Sequence, residues 1–335
     1  ALVLLTLSID LKGIIGLGPK ALIMFFTATL GIIIGGPIAL WIVAQFDPSI
    51  IAGQGADAAW RGFATLAGSW IGGGANQTAM LEVYGYNIEN YGAMVAVDIV
   101  VANIWMAFLL YGAGMHERVD RWLGADSSAV DRLRDSMASF SERVARVPTA
   151  NELIVLVGFT FGTVAFSHWS AGWLSYWFIN MMGPDAVLAS EFFWIVVNAT
   201  TIGLLFSFTP ARELEGIGAS KIGTVFIFLL VAVIGTKMDI FQLGDAPLFM
   251  AVGLIWMTIH SVLLLVVARI IRAPFFFVAV GSKANVGGAA SAPVVAGAFH
   301  PALAPVGVLL AVLGYALGTY GAILCAEMMR AVSGG

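Results

Sequence analysis

Asn76, Gln77 and Thr78 follow a run of glycines in IGGGANQTA (71–79), and Ser282, Asn285 and Ser291 surround a second glycine pair in ANVGGAASA (284–292). Both stretches lie inside segments apolar enough for a bilayer. Gly73, Gly74, Gly287 and Gly288 let the chain turn without Cβ clashes and leave backbone groups open to a ligand. The neighbouring amides and hydroxyls add oxygens without fixed charge. Such a cluster suits Na⁺ or a small neutral-to-anionic solute, and helix N-termini at a break favour anions. In hydrocarbon a non-helical break survives only when packed in protein or lining a watery cavity. A stripe of small residues can also serve close helix packing alone. Duplication of the motif, with polar groups at corresponding places, favours a site. The packing reading suits GYALGTYGA (314–322) better, with Gly314, Gly318 and Ala322 as the stripe.

Ionisable residues inside spans are functional candidates. Asp98, in MVAVDIVVANIW, falls near the middle of the helix after the first break, where a carboxylate could ligate Na⁺ or carry a proton. Together with Asn76 and Asn285 it makes a candidate Na⁺ set. Asn103 lies five positions further on, off that helical face. Lys283 adjoins the second break, placed to pair with a carboxylate or a substrate anion, or to snorkel toward water. Asp10 and Asp239 read as loop-start caps, His260 as a hydrogen-bonded bundle histidine, and His168 and His300 as interfacial. Glu82 falls on the outgoing side of the first break. Trp169, Trp173, Tyr176 and Trp177 read as an aromatic belt.

The elements that must hold these residues are membrane helices. The 335 residues are 60% hydrophobic and 11% charged, with a mean hydropathy of +0.93. Soluble domains run at about 45–50% apolar and about 25% charged. The expected class is an all-α polytopic membrane protein. A net charge of −4 without basic runs argues against nucleic acid, and Cys325 alone excludes a disulfide framework. No HExxH, phosphate-binding loop, G-x-S-x-G elbow or Cys/His cluster is present, so neither an enzyme nor a cofactor is expected. Active transport would then draw on an ion gradient. The chain opens with Ala1 inside an apolar run, and an earlier helix is expected before it.

Apolar segments fall at 1–9, 19–46, 60–84, 91–115, 151–181, 187–208, 221–236, 246–268, 273–299 and 302–329. Residues 116–148 form the one long polar stretch, an amphipathic linker with Val130, Leu133, Met137 and Phe140 at helical spacing and Arg content that places it in the cytoplasm. Around it the halves correspond: 1–115 as a first repeat with a core part at 60–115, and 149–335 as a second with a core part at 273–330. Each interrupted segment either crosses fully, giving parallel repeats, or re-enters as a hairpin, giving inverted ones. Hairpins put Lys12, Lys20, the linker, Arg212, Lys221, Arg269 and Arg272 on one side, and that arrangement is expected.

GSWIGGGANQTAM, AVGSKANVGGAASAPVVAGA, LTLSIDLKGI and GYALGTYGA together resemble the YjcL-like family of bacterial integral membrane proteins, a domain of unknown function. Gly72, Gly73 and Asn76, and Asn285, Gly287 and Gly288, are the matching positions. That family is grouped with the cation/proton antiporter and anion transporter superfamily. The resemblance implies inverted repeats, a moving core on a scaffold, an elevator-type ion-coupled carrier, a homodimer and a bacterial inner-membrane location. The N-terminus departs from the pattern by lacking helices such proteins usually carry. The expected function is Na⁺- or H⁺-coupled secondary transport of a small solute, with an anion among the candidates. A passive channel and a non-transporting membrane scaffold are the alternatives.

Overall fold

The computed structural model describes residues 2–7, 16–126, 128, 130–131, 148–183, 187–189, 191–219, 221–223, 225–226, 229, 246–300 and 303–334. Asp10, Lys12, Asp239, the linker positions Leu133, Met137 and Phe140, and most of the segment at 221–236 lie outside them. The described residues are helical: α1 (Leu2–Leu7), α2 (Pro19–Phe46), α3 (Ala59–Tyr84), α4 (Tyr91–Gly114), α5 (His116–Leu123), α6 (Ala150–Met182), α7 (Glu191–Ser207), α8 (Ala246–Ile271), α9 (Phe275–Asn285), α10 (Gly288–Phe299) and α11 (Ala304–Val332). Of these, α2, α4, α6, α8 and α11 are long and apolar enough to cross a membrane. Trp194–Phe206 of α7 and the 3₁₀ turn Pro210–Ile217, bent by 98°, add up to one more.

Local signals set the ends. Pro19 opens α2 behind Gly18, whose φ of 88° suits glycine. Thr149 and Glu152 close a capping box on α6, with Thr149 N donating to Glu152 Oε2 at 2.9 Å. Gly85, in the left-handed region, ends α3.

Both interruptions are hairpins. Within α3, Gly72 (φ −135°, ψ 16°) and Gly73 (φ 70°, ψ −174°) leave helical geometry. The chain then doubles back: Arg61 Nη1 donates to Tyr84 O, and the Trp60 and Tyr84 rings meet edge-on at 5.4 Å. Nearer the tip, a Cβ at Gly68 would lie 2.6 Å from Asn76 O, so only glycine lets the arms close. The second hairpin is α9 and α10, turning at Gly287 (φ 109°). Its open end is closed by Phe299 against Phe276, with ring centroids 5.3 Å apart.

Lipid removes most hydrophobic drive between helices, so steric fit and hydrogen bonds hold them. α8 seats Trp256 in a glycine groove of α2: Gly35 and Gly36 face its ring, and Trp256 Nε1 donates to Ile32 O at 2.8 Å. These two helices therefore pack with the hairpins, α4 and α11 as one core. α1, α6, α7 and the Pro210–Ile217 turn pack at its flank. The outer side of α6 is open, with Trp169 74% and Tyr176 70% exposed, where the aromatic belt was expected.

Candidate functional site

α11 acts as a ruler for the two hairpins. Near its start, a Cβ at Gly307 would lie 2.5 Å from Ala292 O in the second hairpin. Halfway along, Gly314 faces carbonyls of both tips, Ile71 O at 3.0 Å and Ala284 O at 3.1 Å from such a Cβ. Gly318 then faces Gly72. Further on, the Tyr84 hydroxyl donates to Glu327 Oε1 at 3.1 Å, and the Arg330 guanidinium lies 5.8 Å from the Trp60 ring centre. The second hairpin thus lies along the first half of α11, the first hairpin along the second half, both tips inward. From Gly307 to Arg330 the helix rises roughly 35 Å, close to a bilayer core of about 30 Å.

α4 repeats the measurement in the opposite order. Met94 packs at Gly62, Asp98 at Ser69 and Trp70, Ala102 at Lys283, Trp105 at Ser282, and Gly112 at Phe275. The crossover from one hairpin to the other falls between Asp98 and Ala102, a single helical turn.

At this crossover Asp98 accepts from Ser69 Oγ at 2.6 Å and Trp70 Nε1 at 2.8 Å. Lys283, 2% exposed, donates from Nζ to Ala102 O at 3.1 Å and attracts the Asp98 carboxylate electrostatically. Gln77 turns its buried Nε2 toward that carboxylate, too loosely for a well-formed hydrogen bond. Ser291 Oγ is buried without a partner. Both groups sit four residues past a tip glycine, Gly73 and Gly287. Tyr315, on α11, fills the space between the tips: Cβ atoms at Gly73 and Gly288 would lie 3.2 and 3.5 Å from its Cε1.

The two asparagines are committed to the protein. Asn76 Nδ2 donates to Gly72 O (2.9 Å) and Tyr315 O (3.2 Å), and its Oδ1 accepts from Thr319 Oγ1 at 2.7 Å. Asn285 Oδ1 accepts from Thr29 Oγ1 at 2.8 Å while its Nδ2 donates to Gly281 O at 3.0 Å. Asn76 therefore staples the first hairpin to α11, and Asn285 staples the second to α2. Among the described residues, the hydrogen-bond partners of Asp98 (Ser69, Trp70), Asn76 (Gly72, Tyr315, Thr319) and Asn285 (Thr29, Gly281, Phe25) do not include one another. Asn103 also stands apart: it is exposed, and its Nδ2 turns back to Ile99 O at 2.7 Å. Thr78 Oγ1 bonds Gly74 O and Ala75 O on its own helix. Ser282 is linked to Trp105 Nε1 and His260 Nε2, each at 2.7 Å. His260 Nδ1 lies 3.1 Å from Ala28 O, so the carbonyl requires the proton on Nδ1, and Ser282 donates to Nε2.

Gly74 is half-buried and Gly287 exposed, giving the tips an opening. Two cavities adjoin the hairpins away from the point where the tips meet. One of about 300 Å³ separates Ala75, Thr78 and Glu82 of the first hairpin from Leu2, Ile195 and Ala199 at the flank. Another, of about 540 Å³, lies at the open end of the second hairpin, between Phe276, Phe299 and His300 and the α5 residues His116, Glu117 and Asp120. There Asp120 Oδ1 accepts from Phe275 N at 2.7 Å, capping α9 from another helix. Burial pushes the Asp120 carboxyl up from its ordinary range, opposed by the Phe275 amide and His116. Sequence reasoning missed Tyr315, Ser69, Trp70 and Trp105. Tyr315 carried a signal, as a polar aromatic inside a glycine stripe.

The helices and their buried polar junction define a polytopic membrane protein. Residues 1–332 match the family described as Protein of unknown function (DUF819), and the chain belongs to that family. It is 24% identical over 340 residues to the uncharacterized membrane protein YjcL of Bacillus subtilis (strain 168), across 96% of this chain and 78% of that protein. No solved structure matches.

Proposed function

We propose that the chain is a secondary active transporter whose site is the junction of the two hairpin tips. The observation that carries this reading is their approach from opposite ends of α11 and α4 to one buried polar point. A site midway between two opposed half-spanning hairpins can be opened to either side by moving one body, as alternating access requires. The order helix, hairpin, helix recurs as α2, α3, α4 and as α8, α9–α10, α11. That recurrence supports an inverted repeat and a relation to the cation/proton antiporter and anion transporter superfamily. In this reading the hairpin core slides on a flank of α1, α6 and α7, which would also hold a homodimer in a bacterial inner membrane. Among the described residues, hydrogen bonds that cross that boundary include Thr201 to Tyr320 at 2.5 Å and Thr200 to Thr319 at 3.3 Å. Tyr315 closes the tips here, so loading requires its ring to move. Asp98 is the coupling group, for Na⁺ or H⁺.

The test needs no knowledge of the solute. Cys325, the chain's single cysteine, is buried and can be replaced by serine. A cysteine at exposed Ala290, beside the second tip, is then labelled in oriented vesicles with a membrane-impermeant maleimide. A carrier gives labelling from either face and no steady current in planar bilayers. Labelling from one face alone supports a static scaffold, and a steady current supports a channel.

A further inference from the structure

We infer that the second hairpin tip is an anion cradle and that the transported solute is a small carboxylate or similar oxyanion. The inference rests on the carrier reading and narrows its substrate class. The argument starts from donors left over at the tips. α10 follows Gly287 with no side chain capping it, so its first-turn amides, at the positive end of the helix dipole, lack a side-chain acceptor. Ser291, in its first turn, carries a buried hydroxyl without a partner. Lys283 brings a buried ammonium that has three protons and spends one on Ala102 O. These groups converge: a Cβ at Gly287 would run into Ser291 Oγ and lie 3.3 Å from Lys283 Nζ. Gly287 is exposed, so the point they share can be reached.

The first tip adds a matching donor. Gln77 is 8% exposed, and its Nε2 turns one proton toward Asp98 and keeps the other for a ligand. Every leftover group here is a donor or a hydroxyl that can donate. At the second tip a cation would meet an ammonium and a helix N-terminus, both of the wrong polarity. An oxyanion offers acceptors to each of them. Carboxylate and oxyanion recognition by a lysine, a hydroxyl and helix amides is the arrangement such donors suit. Asp98 is held by Ser69 and Trp70. It balances Lys283 when the cradle is empty, and an arriving anion competes with it for the ammonium. Anion binding and the charge state of Asp98 are thereby coupled.

The full chain in detergent tests this by thermal unfolding, with formate, acetate, succinate, phosphate and sulfate as sodium salts at constant Na⁺ and ionic strength, against chloride. At least one of these anions should raise the melting temperature saturably. Lys283→Gln should abolish the rise, Ser291→Ala should weaken apparent affinity by about tenfold, equivalent to one lost hydrogen bond of about 1.4 kcal/mol, and Lys283→Arg should retain a response. If Lys283→Gln folds poorly, Ser291→Ala and Lys283→Arg still decide the matter. Failure of every anion to stabilise the wild type, or an undiminished response in the variants that fold, overturns the cradle. Such a failure combined with two-sided labelling at Ala290 leaves the carrier intact with another substrate class. Anion binding combined with one-sided labelling keeps the cradle and removes the carrier.

Discussion

Gly318→Ala probes the tip junction with a single methyl group. The backbone of Gly318 is helical, so alanine costs nothing in conformation and gains propensity. The cost is steric. The new Cβ would lie 2.5 Å from Gly72 Cα and 2.7 Å from Asn76 Cγ. Carbon atoms settle at roughly 3.5–4.0 Å, so the overlap is about 1 Å. A backbone atom cannot rotate away, and the first hairpin must retreat along with Asn76. Overpacking of this kind costs about 1–3 kcal/mol. Retreat also weakens the Asn76 bonds to Tyr315 O and Thr319, each worth about 1 kcal/mol net. The sum is about 3–5 kcal/mol, or a fall on the order of 5–10 °C in melting temperature. Gly162→Ala is the control: nothing lies within 4 Å of its Cβ position, and α6 should be unchanged or slightly steadied. Thermal unfolding of purified protein reads both. An unshifted Gly318→Ala protein would refute the contact between α11 and the first tip.

The remaining predictions are of three kinds. Asp98→Asn and Lys283→Gln should each destabilise by about 1–3 kcal/mol, because each removes a charged group whose hydrogen-bond partners (Ser69 and Trp70, or Ala102 O) were set to meet it. The double variant should lose less than their sum by more than about 1 kcal/mol, and strict additivity would show that the groups do not interact. Melting temperatures in Na⁺, K⁺ and choline chloride should rank Na⁺ first if Asp98 couples Na⁺, with the rank lost in Asp98→Asn; a flat wild-type series assigns the coupling to protons. Asp120→Asn keeps an acceptor for Phe275 N and should match or exceed wild type near neutral pH, whereas Asp120→Ala should lose about 1 kcal/mol. Because burial raises the folded pKa of Asp120, its favourable contribution is full below the unfolded carboxyl value and is lost as pH rises through the folded one. The advantage of Asp120→Asn over wild type should therefore grow on going up through the carboxyl range, and an advantage that grows toward acid would reverse the sign.

Glycine and amide residues inside apolar segments made the two breaks legible, because a bilayer tolerates such residues only for a reason. The hairpin geometry was legible from charge placement and the shortness of each outgoing arm. The roles of Asn76 and Asn285 were not. Their partners, Thr319 and Thr29, lie 243 and 256 residues away, and only the folded chain shows those amides bonded to them. Asn103 looked polar in an apolar helix, yet its own backbone satisfies it at Ile99 O. GYALGTYGA read as a packing stripe and does pack, through Gly314 and Gly318, but the same stretch delivers Tyr315 to both tips. The core parts read at 60–115 and 273–330 left out α2 and α8, since nothing local shows that Trp256 fits the glycines of α2.

Sidedness of the two hairpin bases tests the arrangement most directly. In a Cys325→Ser background, single cysteines replace exposed Gln54, in the loop that leads into the base of the first hairpin, and exposed His300, just past the end of the second. Right-side-out and inside-out vesicles are then treated with an impermeant maleimide. Opposed hairpins predict that the two positions label from opposite faces of the membrane. Labelling of both from the same face would contradict that geometry.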